Sequence, residues 1–123
     1  MSILPAIDRA LTEAEATLLR WLLEHSGDDA RAMLPQVDYT RVVGGCGCGC
    51  ASFDVVVEGF DGPIPSTASG TTPDFYWDAE GGGICSVFLF TSGGMITGLE
   101  VWSVDAETDT PPLPAIDQLR ADP

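Results

Sequence analysis

Hydrophobic residues recur along this chain at two periods, and the point where the period changes divides it. Leu11, Ala14, Leu18, Leu22 and His25 repeat at helical spacing with Trp21 beside them, while Glu13, Thr17, Arg20 and Glu24 turn outward. The pattern predicts a helix starting near residue 12. Thr12 with Glu15 three residues later is a capping-box signature, because hydroxyl and carboxylate each satisfy an orphan amide. Ser26-Gly27 ends the helix, and Asp28 is placed to cap a shorter second one over residues 29–34, closed by Pro35.

From residue 37 the period becomes two. Val37 to Val43 reads as a strand, and Phe53, Val55 and Val57 alternate with Asp54 and Glu58 as a strand with one wet face. Residues 59–73 are rich in glycine, proline, serine and threonine and read as a long loop. Phe75-Tyr76-Trp77 reads as a short strand before the Gly81-Gly82-Gly83 break. Ile84 to Thr91 is apolar on both faces and reads as a central strand. Ser92-Gly93-Gly94 supplies the positive-φ positions of a hairpin. The return strand, Met95 to Val104, alternates Leu99 and Val101 with Glu100 and Trp102.

Helices followed by antiparallel strands predict an α+β protein, with N-terminal helices packed on a mainly antiparallel sheet that ends in a β-hairpin. A single domain covers residues 1–123: a helical part at about 12–34, a sheet part at about 37–104, and an acidic, proline-containing tail at 105–123. Leu4-Pro5-Ala6-Ile7-Asp8 recurs as Leu113-Pro114-Ala115-Ile116-Asp117, and proline at a first helical position accounts for each copy locally. Ile116 and Leu119 are expected to pack back on the domain as one helical turn.

Composition narrows the partners. A length of 123 residues and 45% hydrophobic content suit one folded core. The formal charge is −14, with five arginines and neither lysine nor asparagine. Both missing residues use codons that begin with two adenines, which points to a GC-rich, bacterial genome. A net-negative surface repels nucleic acid and anionic membranes, so neither is expected as a partner. It fits a basic protein partner, simple solubility, or a salt-rich cytoplasm. No stretch approaches the roughly 20 apolar residues of a membrane helix, and the N-terminus lacks a basic n-region. A cytoplasmic location is therefore expected.

Cys46-Gly47-Cys48-Gly49-Cys50 carries the densest chemistry. In an extended strand these thiols would stand roughly 6.5–7 Å apart, too far for neighbours to chelate one ion. The surrounding glycines let the chain curl, so Cys46, Cys48, Cys50 and Cys85 form a candidate zinc set, with His25 as a substitute ligand. The run lacks the paired Cys-X-X-Cys spacing of common zinc modules. Thiol redox chemistry is a second reading, with Arg41 as the local cation. The third is a tight glycine turn whose small thiols are merely packed.

Catalytic patterns are poor. His25 is the only histidine, no lysine exists for Schiff-base or P-loop chemistry, and no carboxylate pair or calcium-loop pattern stands out. Phe75, Tyr76 and Trp77 are the candidate partner-binding residues, as an exposed aromatic anchor, against the alternative of core packing.

The capped helix, the Cys-Gly-Cys-Gly-Cys turn and the hairpin from Phe90 to Val101 together resemble small bacterial proteins of unknown function that carry this cysteine-glycine motif. The hairpin ending also resembles immunity-type proteins, which bind and neutralise toxins and whose acidity suits basic nuclease targets. These resemblances imply a small acidic protein-binding module rather than an enzyme. The alternative is a zinc-binding or thiol-redox module centred on the cysteine turn. Oligomeric state is not legible.

Overall fold

The computed structural model describes residues 8–45, 51–65, 69–105 and 111–123. Helix α1 spans Glu13–His25, and its N-terminus is capped as the sequence predicts. The Glu15 amide donates to Thr12 Oγ1 at 3.1 Å, and the Thr12 amide donates to Glu15 Oε1 at 2.9 Å. The same carboxylate accepts two bonds from the Arg9 guanidinium, at 2.8 and 2.9 Å. These bonds, the Arg9 pair first among them, hold the Glu15 carboxyl below the usual glutamate range and raise Arg9 above its own.

After α1 the chain departs from the sequence reading. Helix α2 is a single turn, Asp28–Arg31, and Gly27 at φ 102° stands at its N-cap in place of Asp28. A six-residue 3-10 helix, Leu34–Tyr39, occupies the start of the expected strand. Pro35 presets its first turn, and the Thr40 hydroxyl donates to the Gln36 carbonyl at 2.8 Å. Local hydrogen bonding thus holds Val37 in the helical turn, and alternation begins only at Thr40.

One antiparallel sheet of seven strands follows. Its members are β1 (Arg9–Ala10), β2 (Thr40–Gly45), β3 (Phe53–Val57), β4 (Gly70–Thr71), β5 (Phe75–Asp78), β6 (Ile84–Ser92) and β7 (Met95–Ser103). The order is β1-β2-β3-β7-β6, with β4 and β5 each pairing a different part of β6. The α+β architecture expected from the sequence is the one observed, with helices gathered at the N-terminal side of an open sheet. Strand β4 lies within the stretch read as a long loop. Strand β1 precedes the helices and covers part of the β2 edge.

Leu18, Leu19, Leu22 and Leu23 of α1 are buried in one cluster with inward residues of the sheet such as Val55, Val87 and Leu89. The β6–β7 turn is joined to this core by a buried side chain. Gln36 donates to the Gly94 carbonyl at 2.7 Å and accepts from the Ile96 amide at 3.2 Å. Gly93 and Gly94 have φ of 59° and 79°, the paired positive values of a tight hairpin. A Cβ on Gly94 would collide with the Pro65 backbone, so glycine there serves packing as well as turn geometry.

The C-terminal segment closes the β5 edge. Backbone bonds of 2.8 and 2.9 Å join Tyr76 to Arg120, whose guanidinium also meets Asp78 at 3.0 Å. The expected helical turn exists as a 3-10 turn, Ile116–Gln118. Pro114 is its buried contact and Leu119 packs at the margin of the core, whereas Ile116 faces solvent.

Candidate interaction surface

The helices pack on one side of the sheet, and the strand alternation decides what reaches the other. On β6, Cys85, Val87 and Leu89 point into the core, so Ser86, Phe88 and Phe90 point away. On β7 the same rule sends Glu100 and Trp102 outward, opposite Phe88 and Ser86. Strand β3 adds Asp54 and Val56, and the bulge between Val42 and Gly44 in β2 adds Val43. Val43, Val56, Phe90 and Trp102 each keep 38–39% of their surface exposed. Phe88 and Phe90 meet edge to face at 5.1 Å.

This corrects one expectation. Ile84 to Thr91 is apolar on both faces, and β6 does lie between two other strands, yet its outward face, closed at the fully buried Ser86, opens through the half-buried Phe88 to the exposed Phe90. Antiparallel sheets ordinarily place polar residues on such a face. Here it carries aromatic and branched side chains.

A shallow depression of about 210 Å³ indents that face, lined by Gly45, Ser52, Asp54, Phe90, Leu99 and Glu100 among others. Two glycines flank the Asp54 carboxylate that lines it. A Cβ on Gly44 would stand 3.0 Å from Asp54 Oδ2, and one on Gly98 would stand 3.4 Å from Asp54 Oδ1 and 3.5 Å from the Phe90 ring. The Asp54 carboxylate therefore lies between two positions without side chains. Gly98 pairs with Asp54 in register, so Glu100 projects two residues further along the same face.

The arginines are committed to carboxylates, including Arg41, which stands on this same face opposite Val56. Arg9 pairs with Glu15, Arg20 with Asp38, Arg31 with Asp28, Arg41 with Asp8 and Arg120 with Asp78. These are all the arginines of a chain that has no lysine. His25 stacks on Trp21 at 4.0 Å, and its Nδ1 lies 2.7 Å from the Trp21 carbonyl.

The aromatic triplet proposed from the sequence is split by the strand. Phe75 and Trp77 are buried on the helix side, Phe75 edge to face with Trp21 at 4.9 Å. Only Tyr76 points the other way, beside Ser86. A two-residue period cannot present three consecutive rings on one face, so the triplet is no single exposed anchor. The aromatic side chains exposed on the outward face are instead Phe90 and Trp102, with Phe88 half-buried beside Phe90. Their signal was present in the sequence as two-sided apolarity, which by itself reads as burial.

Of the candidate zinc set, Cys46, Cys48 and Cys50 lie outside the described residues. Cys85 is fully buried on β6, in register between Trp77 and Ser103. The flanks of the cysteine turn, Gly45 and Ala51, belong to the β2–β3 side, and β7 separates β3 from β6. Among the described residues, no three of His, Cys, Asp and Glu gather as a metal site. No helix among them is long and apolar enough to cross a membrane.

No protein-family model, curated protein or solved structure matches the chain.

Proposed function

We propose that this chain is a small protein-binding module without catalytic chemistry of its own, and that its partner is a basic protein. The observation that carries this reading is the distribution of charge. Every arginine is held by a carboxylate of the same chain, and the net charge of −14 leaves a large surplus of carboxylates. A surface of that kind attracts positively charged partners and speeds their encounter. Among basic proteins, nucleases are the class implied by the hairpin's resemblance to immunity-type proteins.

The test uses the immobilised chain as bait in a lysate of the source cells, washed at low and at high salt. A retained basic protein should be identified, purified and shown to rebind the chain with an affinity that falls steeply as salt rises. Retention of neutral or acidic proteins alone, or salt-insensitive binding, would refute the proposal.

A further inference from the structure

We infer that the helix-free face of the sheet is where this partner docks, resting on the protein-binding reading above. The occupant is a basic protein surface that covers Phe88, Phe90 and Trp102 with apolar side chains and brings an arginine or lysine to Asp54 and Glu100.

Two independent features of the face converge on that occupant. The first is its composition. Aromatic residues, Trp above all, dominate the energetics of protein interfaces, and a sheet face facing only water has no reason to display them. The exposed rings and Val43 and Val56 are carried by paired strands of the sheet, so the surface is preformed and little ordering cost attaches to binding it. The second is charge. Asp54 and Glu100 both line the depression beside Phe90, and the chain's arginines are paired with other carboxylates. Arg41, opposite Val56 on this face, is committed to Asp8, so the cation that complements Asp54 and Glu100 comes from another molecule.

The same charges argue against a second copy of this chain as the occupant. Two copies face to face would set a face bearing Asp54 and Glu100 against an identical one, in chains of charge −14 each. Apolar burial would have to overcome that repulsion, whereas a basic partner gains from it. A cation also finds more here than a carboxylate pair. The half-exposed Phe90 ring lines the same depression as Asp54 and Glu100 and offers a face to a guanidinium.

The probe is a synthetic peptide of alternating arginine and phenylalanine, with a glutamate-for-arginine version as control, titrated into isotopically labelled full-length protein. Amide shifts should concentrate on residues 54, 88–90 and 98–102 with the basic peptide, and the acidic peptide should produce none. Asp54→Asn with Glu100→Gln should weaken peptide binding at least tenfold, and Phe90→Ser with Trp102→Ser should do the same. Glu13→Gln with Asp29→Asn, the same charge change on the helix side, should leave it within twofold. Shifts centred on α1 or on the tail, equal losses from both charge pairs, or no binding at low salt would each overturn the inference. So would a concentration-dependent dimer in light scattering that Phe90→Ser abolishes, because the face would then belong to a second copy. A natural partner that rebinds the Asp54/Glu100 and Phe90/Trp102 variants undiminished would sink the surface assignment while leaving the protein-binding reading intact.

Discussion

The two faces of β6 and β7 share the same backbone and a similar apolar content, yet they do different work. Inward, Val87, Leu89, Leu99 and Val101 are almost wholly removed from water against α1 and its neighbours. Outward, Phe90 and Trp102 are kept in contact with it. The inward set contributes to folding because its burial removes apolar area from solvent. The outward set gives up much of that contribution, so its apolar character calls for a role outside folding. Apolar side chains on one pair of strands are thus buried or left half-exposed according to which side of the strand they occupy.

Substitutions on the two faces should separate these roles. Leu89→Ala removes side-chain atoms from a fully buried site and should cost about 2–5 kcal/mol, read as a fall in denaturation midpoint. Next in size is Gln36→Ala. It strips two bonds from the hairpin turn and leaves the Gly94 carbonyl and Ile96 amide buried, for about 1–3 kcal/mol. Amide exchange near residues 94–96 should rise in the same variant. Thr12→Ala breaks the capping box and should cost about 1 kcal/mol, seen as a lower melting temperature.

Acid should expose the Glu15 contribution. Its carboxyl titrates lower in the folded chain than in the unfolded one, so it adds stability above the unfolded value, lost as pH falls through the folded value. The difference in denaturation midpoint between wild type and Glu15→Gln should be largest near neutrality and shrink through the acidic range. Phe90→Ser, on the open face, gives up a half-buried ring and its contact with Phe88 and should cost about 0.5–1.5 kcal/mol, less than Leu89→Ala. A loss as large as that of Leu89→Ala would erase the distinction between the faces.

The two parts of the molecule differ in how far their structure could be read from sequence. The Thr12–Glu15 cap, the period of α1 and the Gly93-Gly94 turn act within a few residues of chain, and all three stand where their local chemistry places them. Val37 to Tyr39 escaped because residues that alternate apolar and polar, as a strand does, were held helical by Pro35 and by bonds from Thr40. Strands β1 and β4, two residues each, are too short to carry a period. The exposed aromatic face was visible only as a list of apolar residues on both faces of one strand.

Local chemistry and pattern along the chain therefore account for the capped helix, the hairpin, the α+β class and the acid-rich charge. Which apolar face would be covered was settled by packing. That outcome depends on where α1 docks, and α1 can cover one side of a sheet and no more. It left Phe88, Phe90 and Trp102 on the helix-free side and brought Asp54 of β3, Phe90 of β6 and Glu100 of β7 together around one depression. The arginine pairings were settled in the same way. Arg20 finds Asp38 and Arg120 finds Asp78 across long stretches of chain, and no spacing in the sequence announces contacts made through folded space.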